Sequence, residues 1–119
     1  MKILIPAVKV GSFETEIHEN FGRAEFFAIV DSENNRLSFI SNTAKNQSSG
    51  AGVAAAQLCV DKEADVVMGY HFGPKAYQAL KAAGIKVLDL DQQKLLKEAY
   101  NDYKSGELVE AQAGPGAHH

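Results

Sequence analysis

At 119 residues, with 45% hydrophobic and 23% charged side chains, the chain has the length and make-up of one globular domain and is too short for two. Twelve Lys and Arg against fifteen Asp and Glu leave a net charge of −3, which supplies no general attraction for nucleic acid or anionic lipid. No apolar run approaches the ~20 residues of a membrane span and the N-terminus lacks the apolar core and cleavage site of a signal peptide, so a cytoplasmic protein is expected.

Residues 2–8 open as a nearly continuous apolar strand, the pattern of a strand covered on both faces and therefore central in a sheet. Pro6 cannot donate to a ladder and is expected at the strand's end or at a bulge. Residues 9–20 read as a polar loop, acidic through Glu14, Glu16 and Glu19 and carrying His18; loops of this length without structure of their own are often functional. Residues 26–30 are an aromatic and β-branched strand, 31–35 a turn, and 36–41 alternate with period two, which predicts a hairpin ending on an edge strand. Residues 42–49 form a polar connection to Gly50-Ala51-Gly52 and an alanine-rich helix over 53–60, with Ser48 and Ser49 as candidate caps.

The apolar run 66–68, the glycine-bounded turn Gly69-Tyr70-His71-Phe72-Gly73, and Ala76, Tyr77 and Leu80 at helical spacing predict strand, turn and helix. Pro74 suits the first helical position, because its fixed φ is helical and its missing N–H would have no partner there. Gly84 stops the helix and residues 85–88 resume as a strand, completing a βαβ unit with parallel strands and a right-handed crossover. Asp89 or Asp91 is expected to cap a last helix whose Leu95, Leu96, Ala99, Tyr100 and Tyr103 form one apolar face, ended by Ser105-Gly106. Residues 1–106 are thus expected to form a single α/β domain and residues 107–119 a flexible Gly/Pro/His tail. His118 and His119 are either native or the stub of a purification tag. The hairpin on one side of the first strand and the βαβ unit on the other combine into a three-layer architecture around a mixed five-stranded sheet.

Cys59 is the only cysteine, which excludes an internal disulfide and leaves no thiolate set for an iron–sulfur cluster or structural zinc; between Leu58 and Val60 it reads as a buried, inert thiol. Ligands of such sheets sit just beyond the carboxyl ends of the strands, where His71 lies. The amides of Lys75 and Ala76 at the helix start offer an anion donors and positive character beside it.

Several segments together, Met1-Lys2-Ile3-Leu4-Ile5-Pro6, Asn20-Phe21-Gly22-Arg23-Ala24-Glu25-Phe26-Phe27, Gly50-Ala51-Gly52, Asp65-Val66-Val67 with Gly73-Pro74-Lys75-Ala76, and Leu80-Lys81-Ala82-Ala83-Gly84-Ile85-Lys86-Val87, resemble the dinitrogenase iron–molybdenum cofactor biosynthesis family, the small domain of Nif X and Nif Y type accessory proteins and their free-standing relatives. The resemblance runs in the family's order over residues 1 to about 105. It implies a ribonuclease H-like fold with strand order 3-2-1-4-5, and the binding, carriage or insertion of a metal–sulfur cluster or its precursor. Some single-domain relatives are associated with molybdenum–copper sulfide clusters. Many members place a histidine immediately before the Phe-Gly-Arg, where this chain has Asn20, with His18 two residues earlier.

A preformed anionic cluster brings its own sulfides, so a protein holding it needs few thiolates and supplies positive charge, N–H donors and an imidazole instead. Lys9, His18, Asn20 and Arg23 after the first strand, Gly50 and Gly52 at one helix start, and His71 and Lys75 at another are the candidate contacts, with His71 and His18 as candidate metal ligands. Each has a plainer role open to it. Arg23 can pair with Glu19 or Glu25, the glycines can serve turns and packing, His18 can be merely solvated, and His71 can be a hydrogen-bonded turn residue. A ribonuclease H-type nuclease would need converging carboxylates, including one on the first strand, and residues 2–8 contain none. No serine or cysteine stands in a nucleophile motif. A nucleotide- or phosphate-binding regulatory module using the helix start at Gly50 or Gly73 stays open, although the P-loop lysine pattern and the full dinucleotide fingerprint are lacking.

The expected function is therefore non-enzymatic carriage of a molybdenum-containing metal–sulfide cluster, iron–molybdenum or molybdenum–copper, which need not survive purification. The expected partners are that cluster or its precursor and a delivery protein, the chain itself being a monomer or weak homo-oligomer.

Overall fold

A computed structural model describes residues 1–111, so His118 and His119 lie outside the described residues. Strand β1 (Lys2–Ala7) runs through the middle of the sheet because its side chains are apolar on both faces, and Ile3 to Ala7 are all buried. β2 (Phe26–Asp31) pairs antiparallel with β1 from Lys2 opposite Asp31 to Ala7 opposite Phe26, and β3 (Arg36–Ser41) pairs antiparallel with β2 as an edge. Helix α1 (Ala51–Asp61) leads to β4 (Val66–Gly69), parallel to β1, and α2 (Pro74–Ala82) leads to β5 (Lys86–Asp89), parallel to β4. After α3 (Leu96–Lys104) the chain returns as β6 (Val109–Glu110), antiparallel to β5.

The sheet is thus mixed and has six strands in the order β3-β2-β1-β4-β5-β6, which corrects the five-strand expectation. The added strand comes from the segment expected to be tail. It is two residues long, both exposed, and leaves no alternation to read; Ala111 behind it is buried and its amide donates to the Val87 carbonyl.

Each face of the sheet carries its own core. Leu4, Phe27, Val67 and Val87 meet Ala55, Ala56 and Cys59 of α1 and Ala76 and Leu80 of α2. Ile3, Ile5, Ala28, Val30, Met68 and Leu88 meet Leu96, Ala99 and Tyr100 of α3. The large aliphatic and aromatic members each contribute about 1.5–3 kcal/mol by leaving water, and the alanines of α1 let its backbone lie close on the sheet. Gly84, at φ 80, ends α2 with the amide of Ile85 on the Leu80 carbonyl, as the sequence predicts.

The strands part where a site is needed. β4 pairs with β1 only at Ile3 and Leu4, although β1 continues to Ala7. Residues 16–18 take the place β4 vacates. Ala7 bridges Ile17, the Val8 amide donates to the Glu16 carbonyl, and the His18 amide donates to the Pro6 carbonyl at 2.9 Å. Pro6 therefore sits inside the strand, opposite Phe27 and not at a bulge, on the stretch of β1 that β4 no longer pairs with and where its carbonyl accepts the His18 amide.

Two cap expectations are corrected. α1 begins at Ala51 from Gly50, which adopts φ 74 and offers no side chain, so neither Ser48 nor Ser49 caps it. α3 begins at Leu96, five or more residues past Asp89 and Asp91, and its start is held by the Glu98 carboxylate, which accepts the amides of Lys94 at 2.7 Å and Leu95 at 2.9 Å.

Candidate functional site

Two turns meet at the carboxyl ends of β1 and β4, and an aromatic cluster pins them together. Phe21 follows the β1 loop and Phe72 follows β4; their rings lie 5.1 Å apart, and Phe21 also meets Phe27 at 5.3 Å. Gly69 makes room for this arrangement, since a Cβ there would fall 2.9 Å from the Phe72 ring. With both phenylalanines buried, their neighbours Asn20 and His71 are left exposed on the surface between them.

Gly22 brings α1 to the same place. A Cβ on Gly22 would lie 2.8 Å from the Gly52 nitrogen and 3.0 Å from its Cα, so only glycine lets this turn rest against the backbone of the helix start. Across from it, a Cβ on Gly52 would touch that of Ala76 at 3.4 Å, which shows how closely α1 and α2 approach at their first turns.

The result is an open cleft of about 600 Å³. Asn20, Gly22 and Arg23, Gly50 and Gly52, and His71 and Lys75 line it from the β1 loop and from the starts of α1 and α2. Neither helix start carries a side-chain cap. The first backbone bonds are Ala54 to Gly50 and Tyr77 to Gly73, and among the described residues none accepts from Ala51, Gly52 or Val53, nor from Lys75 or Ala76. Pro74 has no N–H to leave over. Five amide donors and the positive ends of two helix dipoles therefore border one space, together with Lys75, Arg23 and the imidazole of His71. Among the described residues Glu19 is the one carboxylate on the lining.

Lys9 and His18 do not line this cleft. The residues between them fold back along β1 and are sewn to α3, with the Leu96 amide on Thr15 and the Lys97 amide on Phe13. His18 Nδ1 accepts the Asn20 amide at 2.9 Å, and Asn20 Oδ1 accepts the Arg23 amide at 3.0 Å. With Nδ1 so engaged, His18 acts as a local turn clamp. Arg23 is not paired with Glu19 or Glu25: its Nη1 donates to the carbonyls of Lys45 at 2.7 Å and Gln47 at 2.6 Å, while Lys45 pairs with Glu25.

His71 fronts two further clefts as well. One is lined by Glu16, Glu19, Tyr70 and Lys94, the other by Asp89, Asp91, Gln93 and Asp102. The Asp89 carboxyl is raised above the usual range by burial, opposed by the charge of His71. The Tyr70 hydroxyl, raised by burial and then by Glu98, Glu19 and Glu16, donates to the Gln93 carbonyl and so ties the His71 turn to the segment before α3. Gly22 was not among the candidate contacts read from the sequence, although the Gly in Phe21-Gly22-Arg23 was a readable signal. Cys59 is fully buried and burial pushes its thiol up to about 12, so it takes no part.

The family model described as dinitrogenase iron–molybdenum cofactor matches residues 1–106. An uncharacterized protein of Methanocaldococcus jannaschii is 31% identical over 90 residues, 73% of this chain and 76% of that one. The apo form of the orange protein from Desulfovibrio gigas superposes with a TM-score of 0.89 at 30% identity, covering 96% of this chain and 95% of that one. A NifB-like protein of the DUF35 family from Thermotoga gives 0.81 at 27% identity, covering 98% of each. A match over residues 1–106, nearly the whole described chain, makes this protein a member of the dinitrogenase iron–molybdenum cofactor family.

Proposed function

We propose that the protein binds and carries a preformed, anionic, molybdenum-containing metal–sulfide cluster, of iron–molybdenum or molybdenum–copper type, without catalysing a reaction. The observation that carries this reading is the convergence of two helix starts without side-chain caps, with Lys75 and His71, on one cleft. Helix starts favour anions by ~0.3–1 kcal/mol each when exposed, so useful affinity needs several acting together, and here they do. Among the described residues no three His, Cys, Asp or Glu side chains are gathered to hold a bare metal ion. A cluster whose sulfides already complete its metals needs at most one protein ligand, and His71 is the residue to supply it. Lys9 and His18, off the cleft, are left out of the contact set.

The antiparallel β3-β2-β1 hairpin side joined to the parallel β1-β4-β5 side supports grouping the domain with ribonuclease H-like folds, while the carboxylate-free β1 argues against nuclease chemistry. Carriage by residues 1–106 in the cytoplasm, with handover to a delivery partner, completes the reading. No helix among the described residues is long and apolar enough to cross a membrane.

Reconstitution with thiomolybdate and copper(I), or with an iron–molybdenum precursor, is expected to give stoichiometric coloured protein, and His71→Ala to weaken retention. The same amides would suit a phosphate, and the Gly50-Ala51-Gly52 start favours that as the second reading. Thermal stabilisation by ATP or AMP, with none by metal sulfides, would overturn the cluster in favour of a nucleotide-binding module.

A further inference from the structure

Asn42 lies behind the cleft, 1% exposed, and touches none of the space a ligand would fill. Its carboxamide nitrogen donates to the Gly22 carbonyl at 3.1 Å and the Ala24 carbonyl at 3.0 Å, and its oxygen accepts the Ala44 amide at 3.1 Å. Its own amide donates to the Glu25 carbonyl at 3.1 Å. Gly22, held on one side by Asn42, rests on its other side against the Gly52 nitrogen of the α1 start. From the solvent side, Arg23 ties the same turn to the same connection through the carbonyls of Lys45 and Gln47. Residues 22–24 and residues 42–47, which hold the short 3-10 turn Thr43–Asn46, are thus cross-braced by four side-chain hydrogen bonds.

We infer that Asn42 is a positioning residue: by fixing the Gly22 peptide it sets the height of that turn over the first amides of α1, and with it the affinity of the cleft for an anion. This rests on the reading of the cleft as an anion site. Asparagine is required because two buried carbonyls need two donors from one short side chain, which neither aspartate nor a hydroxyl provides. Losing a donor leaves a buried carbonyl unpaired and frees the turn to shift against α1.

Asn42→Ser, which keeps one donor, and Asn42→Ala, which keeps none, grade the effect. In cargo-free protein the amide resonances of Gly22, Gly52 and Val53 are expected to move in the order Ala more than Ser, with those of α3 unchanged. Tetrathiomolybdate titrated with copper(I) is expected to bind Asn42→Ala about tenfold more weakly, with Asn42→Ser between. A folded variant in which Gly52 and Val53 keep their wild-type resonances, or that binds as tightly as wild type, overturns the inference. If Asn42→Ala does not fold, Asn42→Ser alone decides it by the same two readouts. Wild-type protein that takes up no thiomolybdate defeats the cargo reading instead, and the Gly52 and Val53 shifts then decide the positioning role separately.

Discussion

Three α-helices begin among the described residues, and one of them is treated differently. At α3 the protein closes the start itself: Glu98 accepts the amides of Lys94 and Leu95, and the amides of Leu96 and Lys97 go to the carbonyls of Thr15 and Phe13. At α1 and α2 the side-chain caps are missing, and the starts point into the same space. A capping residue typically adds ~1 kcal/mol to a helix, so a chain evolved for stability alone would have used one at each start. The contrast supports the proposal that donors at the β1/β4 rim are kept for a ligand, and it makes α3 the control region of the same molecule.

The change expected to break that contrast most strongly is Gly22→Val. Its side chain would enter the backbone of Gly52, with an overpacking cost of about 1–3 kcal/mol, and should abolish uptake of thiomolybdate and copper in an absorption titration while lowering the melting temperature. Next come the charged and imidazole groups of the rim. His71→Ala and Lys75→Gln are each expected to weaken binding about tenfold, the loss of one charge-assisted contact, with a melting temperature close to wild type, because both side chains are exposed.

Glu98→Gln sharpens the comparison from the other side. The Glu98 carboxyl is held below the ordinary glutamate range by the Lys94 amide first and the Leu95 amide second. Its contribution is therefore present at neutral pH and lost as pH falls through that lowered value, because the folded state resists protonation there. The variant should melt earlier at pH 7, show a shallower loss of stability on acidification, and bind cargo as wild type does.

The smallest effect is expected at Cys59. A thiol raised to about 12 keeps its proton in the folded chain while the unfolded chain loses it nearer the ordinary value, so stability falls as pH climbs above about 9. Cys59→Ala should flatten that alkaline fall in a melting series, and iodoacetamide should leave the folded wild type unmodified.

Much of the rim was legible from the chain alone. Pro74 after a glycine-bounded turn announces the α2 start and the apolar run of β1 announces a central strand, whereas the α1 start at Gly50, uncapped by Ser48 or Ser49, shows only in the structure. What stayed hidden depends on contacts between distant segments. Nothing in residues 9–18 says that the loop folds back to α3 and withdraws Lys9 and His18. Arg23 reads as a cluster contact or as an ion-pair partner of Glu19 or Glu25 until its carbonyl partners are seen, and Asn42 looks like any polar linker residue until burial singles it out. β6 has too few residues to carry a period.

Backbone amide mapping by NMR during titration with tetrathiomolybdate and copper(I) tests the central claim most directly. Saturable shifts at Ala51, Gly52, Val53, Lys75 and Ala76, with Leu96 and Lys97 unmoved, are the predicted result. Shifts concentrated at the α3 start, or none at either open helix start while the protein takes up colour, would contradict it.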